Sequence, residues 1–136
     1  MILLDKIVSH SADKTVCSVR IEPTSAFANA DGSIPCWVAL EYMAQCAAAH
    51  SGLCDREQGL EIRLGFLLGS RRLTFHVQRF DAGQDLRVGA NSTWSDGELA
   101  SFACDVRDAG GTLLADCDLA AYSPHNLQDL LQRQPA

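Results

Sequence analysis

Hydrophobic and polar positions alternate in several short runs of this chain and stop alternating in one. In residues 14–22, Thr15, Cys17, Val19 and Ile21 fall on one face. A period of two predicts a half-buried strand. Residues 2–9 are expected to pair with it through the turn at Ser11-Ala12-Asp13. Residues 23–33 are small and turn-forming, and read as a loop. The alternation then gives way to Ile34–Ala49, which is apolar apart from Glu41 and Gln45. That stretch predicts a helix. Ser33 is placed to cap it, Pro35 to open it and Gly52 to end it after Ser51.

Downstream, the pattern returns to strands. Residues 63–78 predict one long strand or two, with Gly65 and Gly69 inside. Leu86, Val88 and Ala90 mark the next strand, and Phe102, Cys104 and Val106 another. Leu113, Ala115, Cys117 and Leu119 mark the last. Asp81-Ala82-Gly83, Ser95-Asp96-Gly97 and Asp108-Ala109-Gly110-Gly111 are the turns between them. Two strands, one long helix and four strands in hairpin succession predict an α+β domain, an antiparallel sheet with the helix on one face. That domain spans 1–122. The tail, 123–136, holds Leu127, Leu130 and Leu131 at helical spacing, enough for a short helix at most.

Composition narrows the picture. The chain has 136 residues and a formal net charge of −6, without a long run of one sign. No basic surface for nucleic acid is expected. Met1–Leu4 is followed at once by Asp5, with no basic flank and no small-residue cleavage site, so no signal peptide is read. Glu41 and Gln45 interrupt the longest apolar run, which excludes a membrane span. The expected location is the cytoplasm. The six cysteines (Cys17, Cys36, Cys46, Cys54, Cys104 and Cys117) include no C-x-x-C pair and no His at ligand spacing. They read as free structural thiols, and no metal site follows.

Chemistry concentrates on the helix. A helix apolar on nearly every side is expected to be buried. Glu41 and Gln45 stand one turn apart on a common face. A carboxylate on such a helix is a candidate acid or base, because burial favours its protonated form. The bland alternative is a solvent-facing Glu41 with Gln45 merely holding it or a backbone carbonyl in place. The N–H groups of Cys36 and Trp37, near the helix start, are suited to a carbonyl oxygen that gains negative charge.

Ile34-Pro35-Cys36-Trp37-Val38-Ala39-Leu40-Glu41-Tyr42-Met43-Ala44-Gln45 resembles the helix entry of the 3-hydroxyacyl-(acyl carrier protein) dehydratases, H-F-P-G-x-P-x-x-P-G-V-x-x-x-E-x-x-A-Q. Pro35, Glu41, Ala44 and Gln45 match in type and register. Gly69–Val77 resembles the family's strand, and Asp81–Leu86 its P-G-D-x-L turn. The likeness runs from Met1 to about Tyr122 and is nearest to the dehydratase-like subunits of aryl-polyene synthesis. It implies a single hotdog domain, a long helix wrapped by an antiparallel sheet. It also implies dehydration of an acyl group borne on an acyl carrier protein, with no cofactor.

One departure is large. Counting back to the family's catalytic histidine reaches Phe27, and Phe27-Ala28-Asn29-Ala30 stands where the family has H-F-P-G. The family's sites join a His of one protomer to a carboxylate of the other. The implied arrangement is a dimer in which this chain supplies Glu41 and a His-bearing hotdog partner supplies the base, although a homodimer remains open. His76 is the in-chain stand-in, since His10 and His125 are expected in solvent and His50 lies too far up the helix. Cys36, Trp37, Gln45 and Gly69 are the expected substrate contacts. Arg71, Arg72 and Arg79 are the expected dock for an acidic carrier, unless they only guard a strand edge. Two other functions stay open: a hotdog thioesterase using Glu41, and a non-catalytic acyl-binding subunit.

Overall fold

The computed structural model describes residues 1–63 and 65–124. β1 (Lys6–His10) and β2 (Lys14–Arg20) form the expected antiparallel hairpin. Thr15, Cys17 and Val19, with Ile21 just beyond β2, are all buried, as their alternation requires. The 23–33 loop ends in β3 (Ile34–Pro35), which pairs with β5 (Arg79–Phe80) in a small separate sheet. A 3-10 turn over Cys36–Val38 then leads into α1 (Ala39–Glu57).

Two of the three expected helix signals act elsewhere. Ser33 caps nothing, because its N–H and Oγ both donate to Asp31 Oδ1, at 3.0 and 2.5 Å, and organise the loop. Gly52 lies inside α1, where Ile62 of the returning chain passes over it. Gly59 ends the helix instead. Its φ is +73°, and the Gly59 and Leu60 N–H groups bond the Arg56 and Asp55 carbonyls at 3.0 and 2.8 Å. Only glycine takes that backbone conformation without strain.

The main sheet adds β4 (Phe66–Phe75), β6 (Asp85–Ser95), β7 (Leu99–Asp108) and β8 (Leu113–Tyr122). Its order is β1-β2-β6-β7-β8-β4, and every pairing is antiparallel. Four strands in hairpin succession are therefore not found. Only β6, β7 and β8 follow one another as neighbours. β4 crosses to the far end, because β6 pairs with β2 and fills the centre.

Ala39, Tyr42, Met43, Cys46, Ala47 and His50 of α1 are buried at helical spacing against β2, β6 and β7. The helix approaches the sheet closely. Cys46 Sγ lies 3.4 and 3.3 Å from the Thr15 and Val88 carbonyl oxygens and 3.7 Å from Cys17 Sγ. A branched residue would not fit there. The cysteines are free, and Cys17, Cys46, Cys104 and Cys117 are buried. No helix among the described residues is long and apolar enough to cross a membrane. Of the tail, Ser123 and Pro124 are described; the leucines read as a short helix lie outside the described residues.

Candidate active site

Glu41 sits in the first turn of α1 on an exposed face. The helix is therefore not buried all round. Leu40, Ala44, Ala48 and Ser51 share its half-open side. A cleft of about 310 Å³ runs along this side, between α1 and the β4–β8 end of the sheet. Glu41, Ala44, Ala48, Phe66, Leu67 and Ala121 are among the residues lining it.

Gln45 reaches back to Glu41. Its Nε2 donates to Glu41 Oε1 at 3.1 Å and to the Met1 carbonyl at 2.8 Å. Its Oε1 accepts the Leu3 N–H at 2.8 Å. Glu41 and Gln45 thus act as one unit, as their spacing predicted, but the two backbone partners come from a segment that carried no chemical signal. Beside them, Tyr42 is buried against Phe80, and burial pushes its hydroxyl up to about 12. It is no acid at neutral pH.

The helix entry is only partly open to a ligand. The Cys36 N–H donates to the Gln78 carbonyl at 3.1 Å. That donor of the expected pair is taken. Trp37 is 58% exposed and meets the Phe27 ring edge-on, with centroids 5.8 Å apart. The residue at the family's histidine position therefore packs against a tryptophan one turn before Glu41.

His76 is not brought to Glu41. The strand pattern that carried it ends at Phe75, and His76 lies in the bend beyond β4. Its N–H bonds the Leu114 carbonyl at 2.8 Å, and its Nε2 faces Asp116 Oδ2 at 3.2 Å. It does not line the cleft. His50 is buried beside Thr15, whose Oγ1 lies 2.8 Å from His50 Nδ1 and 2.6 Å from His10 Nδ1. His10 is thus held by β2 rather than free in solvent, and His125 lies outside the described residues. No described histidine shares the cleft with Glu41.

Gly69 lies on β4 at a break in register and lines a different hollow, on the outer face of the sheet with Arg71 and Arg72. Within one chain it does not meet Glu41. The three arginines are unequal. Arg72, with φ +51°, donates through Nε to Asp118 at 2.6 Å. Arg79 donates to Asp81 at 3.3 Å. Arg71 is exposed and has no ion pair among the described residues. Arg63, which is not among the expected site residues, is a clamp. Its guanidinium donates to the Gly97 and Ser123 carbonyls at 2.7 and 3.1 Å and to Asp55 at 3.2 Å.

The model of a family described as ApeP-like, ApeP dehydratase, matches residues 1–132. The chain belongs to the ApeP-like dehydratase family. A chain of the dehydratase heterocomplex ApeI:P from Xenorhabdus doucetiae is 31% identical, with a TM-score of 0.89 over 96% of this chain and 88% of that one. More distant structures share only the fold. Zebrafish thioesterase superfamily member 2 is 16% identical, with a TM-score of 0.66 over 86% of this chain and 78% of that one. The E. coli PaaI protein of the phenylacetic acid degradation operon is 13% identical, with a TM-score of 0.63 over 86% and 81%. No curated protein matches by sequence. For this ApeP-like dehydratase, the hotdog fold and the dehydratase assignment read from the sequence both stand.

Proposed function

We propose that this chain is the carboxylate-bearing subunit of a two-chain, cytoplasmic 3-hydroxyacyl-(acyl carrier protein) dehydratase of the aryl-polyene type. A histidine of a partner hotdog subunit completes its site. The observation that carries this is the incomplete pair: Glu41 stands in an open cleft that no described histidine enters, and Phe27 occupies the position of the missing base. The heterocomplex formed by the 31% identical relative supports a second chain. So does β4, a ten-residue edge strand exposed along nearly its whole length at one end of the cleft.

In this reading the partner's histidine removes a proton from C2 of the 3-hydroxyacyl thioester. Glu41 gives its proton to the C3 hydroxyl, which leaves as water, and the electron pair forms the C2–C3 double bond. Gln45 holds Glu41, and the Trp37 N–H faces the incoming thioester carbonyl. Arg71 offers the free positive charge nearest the edge strand to an acidic carrier.

The test is kinetic, on the purified chain with and without a His-bearing hotdog partner. Dehydration is expected only in the mixture. Glu41→Gln, nearly isosteric, should lower it by about 10²–10⁴-fold, the scale of one general acid. Full activity from this chain alone, or an undiminished Glu41→Gln complex, would overturn the split site. Thioester hydrolysis by the isolated chain would assign it to the hotdog thioesterases instead.

A further inference from the structure

We infer that the backbone of residues 1–3 is a positioning strap for Glu41, acting through Gln45 and deciding which carboxyl oxygen faces the substrate. The inference rests on Glu41 being the acid of the dehydration.

The Gln45 side-chain amide has one oxygen acceptor and two N–H donors. The Leu3 N–H can only donate, and it reaches Gln45 Oε1 at 2.8 Å. The Met1 carbonyl can only accept, and it reaches Gln45 Nε2 at 2.8 Å. Two backbone groups of opposite polarity therefore hold the amide one way round. A flipped amide would set N–H against N–H and oxygen against oxygen. The second Nε2 proton is then directed at Glu41 Oε1, 3.1 Å away. An oxygen that accepts from Gln45 cannot also present an O–H in that direction. The transferable proton is left to Oε2, on a residue that lines the cleft.

The strap is hung between two anchors rather than packed down. Met1 and Ile2 are 81% and 86% exposed. Leu3 and Leu4 are half-buried and lean on the core. At the far end, the Asp5 N–H donates to the Ser18 carbonyl at 2.8 Å, and Asp5 Oδ2 accepts the Arg20 N–H at 2.6 Å. At the near end, Gln45 is the anchor. Gln45 also lines both the Glu41 cleft and a second, mainly apolar cleft of about 600 Å³ bordered by Met1, Ile2 and Leu4. Ala48, one turn below on α1, lines both clefts as well.

The experiment compares Leu3→Pro, Leu3→Ala and Gln45→Met in the active complex. Leu3→Pro removes the N–H, and Leu3→Ala keeps it. Leu3→Pro should lower kcat about tenfold, the scale of one hydrogen bond, with KM within about twofold. Leu3→Ala should stay within about twofold of wild type on both. Gln45→Met should match Leu3→Pro, and the double variant should be no worse than either, because both cut one connection. A parallel measurement needs no activity. In the isolated chain, the Gln45 side-chain amide protons should be protected from exchange in the wild type and in Leu3→Ala, and lose that protection in Leu3→Pro. Equal kcat for Leu3→Pro and Leu3→Ala, additive losses in the double variant, or unchanged Gln45 amide signals would each overturn the strap. A wild-type complex that dehydrates nothing while those amide protons respond as expected would instead overturn the dehydratase reading and leave the strap's geometry standing.

Discussion

Replacing Leu68 and Leu73 by lysine should disrupt assembly while sparing the fold. β4 bonds β8 on one side and ends the six-stranded sheet on the other. Leu68 is 59% exposed and Leu73 36%. Together their open fractions amount to about one whole leucine side chain. Burying one leucine contributes about 1.5–3 kcal/mol. Losing that from an interface weakens it roughly 10- to 150-fold. The lysines add a desolvation cost of their own and are the residues that natural edge strands use against unwanted pairing. The isolated chain should hardly notice, because both positions already face water; its denaturation free energy should move by no more than about 0.5 kcal/mol. Sedimentation equilibrium of the chain with its partner, over a range of concentrations, reads the dissociation constant directly. A constant within about threefold of wild type, with the isolated chain's stability unchanged, would refute β4 as the contact.

Two further outcomes are expected. Burial first, and then the charge of His10, hold His50 below the ordinary histidine range. The unfolded chain, with His50 near its usual 6.5, binds the extra proton first as pH falls. The stability from a neutral His50 is therefore complete above about pH 6.5 and is lost as pH falls toward the folded value. Urea midpoints at pH 7.5 and 5.5 should differ, and His50→Asn should shrink the difference; an undiminished difference would place the effect elsewhere. Arg71→Glu should cut kcat/KM for carrier-bound substrate about tenfold through a slower encounter and leave short free thioesters untouched. Equal losses on both substrates would make Arg71 structural.

The strands were legible because each interior face is built from residues of unmistakable character: Leu86, Val88 and Ala90 on β6, and Phe102, Cys104 and Val106 on β7, are buried at every second position. Neighbours in the sheet were not legible. The β4 pattern identifies a strand but says nothing about β8 as its partner, which depends on the centre of the sheet being filled by β2 and β6. The openness of Glu41 was hidden for a different reason. Ala44 and Ala48 count as apolar, yet alanine sits as easily beside a cleft as in a core, so the stripe below Glu41 looked buried. Gly52 reads as the helix stop, yet Gly59, which has a positive φ, ends the helix. Alternation through Phe75 and Val77 carried β4 past its true end and placed His76 in a strand it does not join. The pairing of Glu41 with Gln45 was visible from spacing alone, whereas the hold of Met1 and Leu3 on Gln45 spans more than forty residues and leaves no trace in any local pattern.

The six free thiols give this molecule a built-in clock. Cys36 and Cys54 are partly open and should take up an alkylating reagent before the buried thiols, Cys54 more slowly because burial and then Glu57 push its thiol up. Cys17 and Cys46 lie where α1 meets β2, and Cys104 and Cys117 stand opposite each other across β7 and β8. A reagent reaches the first pair only when α1 lifts from β2, and the second only when it lifts from β7 and β8, because Cys117 Sγ lies 3.6 Å from Met43 Sδ of the same helix. Mass spectrometry of partly labelled protein would then time the two openings separately, without any engineered probe. Whether α1 leaves the two parts of the sheet together or in sequence is written in the order in which the sulfurs react.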